Sequence, residues 1–197
     1  MKKCPMYSVT GVDGTGKTSV MNYLTRGLAK SGLSFRKIDL PKYFRGRCMP
    51  YVVRGGVTLS LLPITKAYLG MQSPDVIISE RDPVLDTMVY RGQYGSRLSC
   101  PLSDDKLFSM LRGLAADRAF YLDADIRTIE GRLAKRVRDE PKRCRQAHEI
   151  GKRLENIQQR FKSVISSYGS NVQVVPTDGR TVPEIGGEIL ESILGDV

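Results

Sequence analysis

Residues 11–18 carry the clearest chemical signal of the chain, because they read GVDGTGKT. This octapeptide matches the pattern G-x-x-x-x-G-K-[ST] at every fixed position, after an apolar stretch and before a helix-like one. In such a loop the backbone N–H groups turn inward toward phosphate oxygens, and the positive end of the next helix adds to the attraction. The sequence therefore predicts a site for a nucleoside triphosphate, with ATP and Mg²⁺ as its ligands.

The residues of this loop have different expected roles. Lys17 is expected to reach the β- and γ-phosphates, and the Thr18 hydroxyl to bind Mg²⁺. Further contacts to the triphosphate are expected from the loop and the first helical turn, at Gly11, Asp13, Gly14, Thr15, Gly16 and Ser19. Phosphoryl transfer depends mostly on positioning and on neutralising charge, so other charged groups must face this loop.

A second group of charged side chains follows an apolar stretch at residues 76–79. Glu80, Arg81 and Asp82 would stand at the carboxyl end of a strand, the edge at which open α/β sheets bind their ligands. Glu80 is suited to hold Mg²⁺ through water, and Arg81 to bridge the donor and acceptor phosphates. Together with the loop, these residues predict a phosphotransferase site.

Five apolar segments with helix-like stretches between them would position these groups. We predict strands over residues 6–10, 35–40, 75–79, 119–123 and 172–175, and helices over 19–30, 125–138 and 146–168. Val20, Leu24 and Leu28 share one face of the first helix. Residues 41–74 are the least regular, with helical spacing only around 59–69.

Strands that alternate with helices predict a parallel sheet. The expected fold is α/β: a P-loop NTPase of three α/β/α layers, with a five-stranded parallel sheet and a helical lid. A chain of 197 residues, 41% of them hydrophobic, fits a single domain over residues 1–197 with a buried core.

Positive charge concentrates between two of the predicted helices. Residues 132–153 contain nine Lys or Arg against three acids, in a chain of net charge +10. Pro141 interrupts the helical pattern there, and we predict a lid at about residues 136–146 whose arginines lie in a loop over the phosphates. A solvated helix face is the alternative interpretation of the same charges.

Four segments, in order along the chain, resemble those of the thymidylate kinase family of nucleoside monophosphate kinases. GVDGTGKT is similar to that family's G-x-[DE]-G-x-G-K-[ST] loop, and Glu80-Arg81-Asp82 stands where the family has Asp-Arg-Tyr. YLDAD at 121–125 with the arginines after it resembles the strand and arginine-rich lid, and PTDGR at 176–180 resembles the loop near the adenine.

The resemblance implies transfer of the ATP γ-phosphate to a nucleotide, dTMP above all, giving dTDP. Gly14 stands where some members carry a catalytic arginine, so the resemblance assigns catalysis to Lys17, Glu80, Arg81 and the lid arginines Arg136, Arg138 and Arg143. It places the adenine near Arg132 and Asp178, and the acceptor near Asp13, Pro41, Arg81, Asp86 and Tyr90. Family members are often dimers, which implies a homodimer.

The chain departs from that family on the acceptor side. Asp82 replaces the tyrosine, and the aromatic residue of the following helix falls on Val89 or, with a shift of one residue, on Tyr90. Asp86 puts an acid near the base, where a carboxylate accepts hydrogen bonds from a donor-bearing base edge better than from the carbonyls of thymine. The acceptor base is therefore left open.

Glu80-Arg81 also resembles the Glu-Arg-Ser that deoxynucleoside kinases of the same fold have at this strand end, which makes such a kinase the first alternative. Such kinases need a general base, for which Asp39 is the candidate. Pro41 and the basic residues Lys42 and Arg45 suit a phosphorylated acceptor better.

Two further alternatives belong to other classes. A nucleic-acid-dependent P-loop ATPase would use the net positive charge, with Asp123 as its magnesium-binding acid, but the basic residues concentrate in the predicted lid. A nucleotide-binding module that has lost catalysis would explain Asp82, but not the presence of Lys17, Thr18 and Arg81 together.

The chain shows no feature of a secreted or membrane protein. No apolar run is long enough to span a bilayer, so we expect a cytoplasmic protein with a small-molecule nucleotide partner and neither a membrane nor a nucleic-acid partner. The four cysteines are far apart, unlike those of a zinc site or a disulfide scaffold, and we expect them to be reduced. His148 has no acid or nucleophile at a useful spacing.

Overall fold

A five-stranded parallel sheet forms the centre of the computed structural model, which describes residues 4–39, 74–90, 103–139, 152–168 and 171–197. Its strands are β1 Met6–Thr10, β2 Phe35–Asp39, β3 Val76–Glu80, β4 Arg118–Asp123 and β5 Val172–Pro176. They lie in the order β2-β3-β1-β4-β5, and all four neighbouring pairs are parallel. The predicted strands and the parallel sheet are confirmed.

Helices cover both faces of this sheet. They are α1 Lys17–Lys30, α2 Pro83–Tyr90, α3 Asp104–Leu111, α4 Ile126–Asp139, α5 Lys152–Tyr168 and α6 Val182–Asp196. The side chains of β4 show the two sides, because Phe120 and Leu122 pack with α1 and α6, whereas Ala119 and Tyr121 pack with α2 to α5. A parallel sheet must be buried on both faces, and the three predicted layers are present.

The helical periodicity predicted most of the buried helix faces. Val20, Leu24 and Leu28 of α1 are fully buried, as are Leu154, Ile157 and Phe161 of α5. Helix α6 was not predicted, although Thr181 and Glu184 form a capping box at its start and a proline follows the cap.

Two helix bounds differ from the prediction. Helix α1 begins at Lys17, so the last two residues of the phosphate loop already belong to it. Helix α4 ends at Asp139, one residue beyond the helix predicted over 125–138, so Arg136 and Arg138 lie in its last turn and not in a loop, where the lid prediction placed them. Lys135, Arg136 and Arg138 are good helix formers, and Pro141 disfavours helical backbone only at the residue directly before it.

The register of the sheet brings the ends of the middle strands to one edge. Val9 and Asp39 both lie opposite Glu80, while Thr10 lies opposite Tyr121. The loop at residues 11–16, the end of β3 and the end of β4 therefore meet at the carboxyl edge of the sheet. This is the edge at which open α/β sheets bind ligands.

Several sequence predictions fall outside the described residues. These are the contacts of Pro41 and Arg143, most of the lid at 140–146, the start of the last predicted helix at 146–151, and His148. Cys4 is a free, half-buried thiol in the described part of the chain. None of the helices within the described ranges is long and apolar enough to cross a membrane.

Candidate nucleotide site

The phosphate loop has the backbone shape that its glycines predict. Gly11, Gly14 and Gly16 have φ angles of 145°, 95° and 97°. A Cβ atom added at Gly14 would lie 2.8 Å from Cγ2 of Ile129 and 3.1 Å from Cγ of Leu133, both on α4. Neither this backbone nor this space accommodates an arginine at position 14. Any positive charge at this loop must come from residues other than position 14.

Helix α1 presents an open N-terminus to this loop. Gly16 is its N-cap, and no side chain in the described part of the chain caps it by a hydrogen bond. By contrast, α6 has a complete capping box. The N–H groups of a first turn point out of the end of their helix, where the helix dipole is positive. The start of α1, including Thr18 and Ser19, is therefore suited to an anion.

Lys17 is folded back onto the loop and is nearly buried, with 6% of the residue exposed. Its ammonium donates to the carbonyl oxygens of Gly11 at 2.8 Å and Val12 at 2.7 Å, and pairs with Asp13 Oδ1 at 3.4 Å. Contact with a phosphate would require the ammonium to exchange at least part of this set for phosphate oxygens.

Arg81 lies between two carboxylates at the end of β3. Its Nη2 donates to Asp13 Oδ1 and its Nη1 to Asp86 Oδ2, each at 2.8 Å. Asp86 is also held by Thr10, whose hydroxyl donates to Oδ1 at 2.6 Å. The Arg81 guanidinium carbon lies 5.8 Å from the centre of the Tyr90 ring. The structure thus brings together four predicted site residues, namely Asp13, Arg81, Asp86 and Tyr90.

The charges of this network support one another. Burial by itself would lower the pKa of Arg81, but the carboxylates of Asp86 and Asp13 outweigh it and raise that pKa. Burial would likewise raise the pKa of Asp13, but the cations of Lys17 and Arg81 hold it below its ordinary value. Asp13 and Arg81 are therefore both charged at neutral pH.

Thr18 and Glu80 form the candidate metal site. The Thr18 hydroxyl donates to Glu80 Oε1 at 2.7 Å, and Lys37 Nζ lies 4.0 Å from Glu80 Oε2. Within the described ranges, no group of three or more His, Cys, Asp or Glu could hold a metal ion. A hydroxyl and a carboxylate at the edge of a phosphate loop fit Mg²⁺, which takes its other ligands from phosphate and water.

Asp82 does not belong to the open part of the site. It is 1% exposed, and it accepts hydrogen bonds from the N–H groups of Val84 and Leu85 at the start of α2. Burial raises its pKa, and the hydrogen bonds that it accepts oppose that rise. Asp82 therefore has a structural place at the start of α2, which accounts for this residue without a loss of catalysis.

A second set of contacts joins α4 to the loop after β5. The Arg132 guanidinium donates to Oγ1 and to the carbonyl oxygen of Thr177, both at 3.2 Å. Asp178 Oδ2 accepts from the N–H group of Asp125 at 2.8 Å. The two residues expected near the adenine thus lie on elements that contact each other, Arg132 on α4 and Asp178 in the loop after β5. Arg136 and Arg138 lie farther along α4, on its exposed last turn.

Sequence reasoning missed the polar residues that support these groups. Ser8 and Thr10 are fully buried in β1, where they donate to Asp82 and Asp86. Gln158 of α5 donates to Asp123 Oδ1 at 3.0 Å, and Lys162 pairs with the other oxygen at 3.3 Å. Hydroxyl residues inside an otherwise apolar strand were the available signal for the first pair. Nothing in the local sequence pointed to Gln158.

Comparisons with known proteins identify the fold. Neither a protein-family model nor a curated protein matches the chain. A solved structure of deoxyadenosine kinase from M. mycoides, with products dCMP and a flexible dCDP bound, is similar at 14% identity and TM-score 0.58, covering 98% of this chain and 100% of that one. The structure of the YorR protein from Bacillus subtilis in complex with phosphorylated GDP is similar at 17% identity and TM-score 0.58. This likeness covers 97% of this chain and 96% of that one.

These likenesses extend over nearly the whole of each chain. Together with the five-stranded parallel sheet and the glycine-rich loop after β1, they show the three-layer α/β/α P-loop fold that the sequence predicted.

Proposed function

We propose that this chain is an ATP- and Mg²⁺-dependent kinase that transfers the γ-phosphate to a nucleoside monophosphate, with dTMP as the first candidate and dTDP as its product. The contact of Asp13 Oδ1 with both Lys17 and Arg81 carries this proposal. It connects the lysine of a triphosphate loop to an arginine at the neighbouring strand end, where an acceptor can approach.

The donor side follows from the loop and α1. The backbone N–H groups of residues 11–18 would hold the β- and γ-phosphates, and Lys17 would add a positive charge to them. Thr18 and Glu80 would hold Mg²⁺ together with phosphate oxygens and water. When bound, this ion neutralises charge on the transferring phosphate. Arg132 and Asp178 would border the adenine.

The acceptor side follows from the surroundings of Arg81. This side chain is 22% exposed, so one part of the guanidinium can meet an acceptor while Asp13 and Asp86 hold it in place. Tyr90, and not Val89, faces Arg81, because Val89 is fully buried in the core. Tyr90 and Asp86 are our candidates for contact with the acceptor base, and Pro41 for the opposite wall.

Transfer itself needs the two substrates in line and their charge neutralised. Lys17 and Arg81 would act from the loop and from β3. Arg136, Arg138 and Arg143 would act from the lid, where a closing movement also excludes water. The position of Gly14 against α4 supports the assignment of arginines from β3 and the lid, since position 14 of the loop has no room for an arginine.

A deoxynucleoside kinase is the second candidate, and the same network favours it. Arg81 already contacts two carboxylates, so an acceptor phosphate with two negative charges gains less there than at an unpaired arginine. One of the similar structures is a deoxyadenosine kinase with dCMP as a product. In this case Asp39, which ends β2 opposite Glu80, would be the candidate general base.

The test is a product analysis with purified protein, Mg²⁺ and γ-labelled ATP. Nucleoside monophosphates, nucleosides and single-stranded DNA serve as separate additions, and chromatography identifies the labelled product. Labelled dTDP from dTMP would establish the first candidate. Labelled monophosphates formed only from nucleosides would establish the second, and phosphate release that depends on DNA would overturn both. The Lys17→Met variant controls for a contaminating kinase.

A further inference from the structure

The backbone of Arg81 is strained where the chain leaves β3. Its φ angle is 88°, in the left-handed region that residues other than glycine rarely adopt and that raises the free energy of the folded state. Such a conformation persists only when surrounding contacts hold it. Arg81 is also the residue whose guanidinium joins Asp13 to Asp86, so its backbone direction determines whether both contacts form.

Two hydrogen bonds hold Arg81 directly. Its N–H group donates to the carbonyl oxygen of Val9 at 2.9 Å, and the Ser79 hydroxyl donates to the carbonyl oxygen of Arg81 at 2.9 Å. Both partners belong to β1 and β3. They hold the N–H and C=O groups of Arg81 against the sheet, but neither contact involves α2.

Asp82 fixes the direction in which the chain continues into α2 with both of its carboxylate oxygens. Oδ1 accepts from the N–H groups of Val84 and Leu85, each at 2.9 Å, as the side chain of an N-cap residue does. Oδ2 accepts from the Ser8 hydroxyl of β1 at 3.0 Å and from the N–H group of Ala116, just before β4, at 3.3 Å. A cap alone needs only the first of these oxygens.

The second oxygen therefore attaches the start of α2 to β1 and to the segment before β4. Helix α2 carries Asp86, whose N–H group donates to the carbonyl oxygen of Asp82 at 3.0 Å. Asp82 thus controls both the backbone that follows Arg81 and the helix that carries one of its two partners. Asp82 is fully buried, so an acceptor cannot reach it directly.

We infer that Asp82, with Ser8, is a positioning residue that holds Arg81 in its strained conformation so that the guanidinium meets Asp13 and Asp86 together. Its effect on turnover rests on the proposed function. Its effect on the Arg81 side chain does not, and the experiment measures that first.

The experiment compares Asp82→Asn with the wild type by ¹⁵N NMR of the arginine side chains. Asparagine keeps an oxygen for the two N–H groups of α2, but its NH₂ group cannot accept from Ala116. In the wild type, Arg81 should show separate, slowly exchanging guanidinium signals, assigned by their absence in Arg81→Lys. In Asp82→Asn these signals should merge, because the guanidinium no longer holds both carboxylates.

Ile193→Val is the matched control for stability. Ile193 is fully buried in α6 on the other side of the sheet, and its truncation destabilises without touching the start of α2. Its Arg81 signals should match the wild type. If Asp82→Asn does not fold, Ser8→Ala gives the same measurement, since it removes one contact of Oδ2 and leaves the cap intact.

Kinetics then separates positioning from stability. We expect Asp82→Asn to lower kcat/KM for the acceptor by about 10- to 100-fold, with the KM for ATP little changed. In an Arg81→Ala background the same substitution should have almost no further effect, because its target is gone. Arg81 signals that stay separate in the variant, or that are already merged in the wild type, would overturn the inference. If the Arg81 signals are separate in the wild type and merge in Asp82→Asn, but the wild type has no kinase activity, the inference is supported and the proposed function is refuted.

Discussion

Arg81 and Asp13 are joined by a hydrogen bond of 2.8 Å, although 67 residues separate them along the chain. The same Asp13 oxygen lies 3.4 Å from the Lys17 ammonium. One carboxylate therefore serves the lysine of the phosphate loop and the arginine at the end of β3. A ligand that moves Lys17 changes the charge that Arg81 faces, and this coupling can be tested at Asp13.

Asp13→Asn should lower kcat/KM for the acceptor by about 10- to 100-fold, because Arg81 loses one of the two charges that orient it. Steady-state kinetics with the acceptor that the product analysis identifies measures this. Glu191→Gln on the exposed side of α6 removes the same charge far from the site and should leave the rate unchanged. An equal loss in both variants would mean that net charge, and not the contact with Arg81, determines the rate.

The lowered pKa of Asp13 predicts how stability depends on pH. The ionised carboxylate is stabilised in the folded state, so its contribution is complete above the pKa of about 3.9 in the unfolded chain. The contribution disappears as the pH falls through the lower pKa of the folded state. Urea unfolding should therefore show wild type more stable than Asp13→Asn at pH 5 to 7, with the difference shrinking below about pH 4. A difference that grows on acidification would contradict this sign.

Lys17→Met should reduce phosphoryl transfer by about 100- to 1,000-fold or more, since the proposed function assigns to Lys17 the positive charge that the loop brings to the transferred phosphate. Rates with saturating ATP and acceptor measure the effect. Lys30→Met is the matched control, because Lys30 is exposed in the last turn of the same helix. Full activity of a folded Lys17→Met protein would refute the assignment of this loop to the phosphate donor.

Thr18 offers a test of the metal site that separates a ligand oxygen from a packing effect. Thr18→Ser keeps the hydroxyl that donates to Glu80, whereas Thr18→Val keeps the shape and removes it. The Mg²⁺ concentration for half-maximal rate should rise at least about 10-fold in Thr18→Val and change little in Thr18→Ser. Equal Mg²⁺ dependence in the two variants would exclude this hydroxyl as a ligand.

The hydroxyl groups of Tyr121 and Tyr7 should contribute differently to the stability of the fold. The buried Tyr121 hydroxyl has no hydrogen-bond partner within the described ranges, whereas the Tyr7 hydroxyl donates to Asp196 at 3.3 Å. Tyr121→Phe should therefore be neutral or slightly stabilising, and Tyr7→Phe should cost about 1 kcal/mol of unfolding free energy. Urea midpoints measure both. A loss of unfolding free energy in Tyr121→Phe as large as that in Tyr7→Phe would show that the Tyr121 hydroxyl has a partner.

The sequence by itself determined the features that depend on neighbouring residues. The loop at 11–18 was recognisable because its glycines and its lysine act within one turn of chain, and α1 was recognisable from the spacing of Val20, Leu24 and Leu28. The alternation of apolar strands with helices was enough to predict a parallel sheet, because parallel strands need a crossover between them.

Only the tertiary structure decided which groups meet at the site. In the sequence, Asp82 could be explained by a module that has lost catalysis. In the structure it is buried and accepts hydrogen bonds from Ser8 and Ala116, which come from distant parts of the chain. Asp86 and Tyr90 both contact Arg81, because the helix that carries them begins directly after this positive-φ residue. Periodicity assigns a side chain to a face of its own element, but contacts between elements depend on strand order and register, which the chain sets only when it packs.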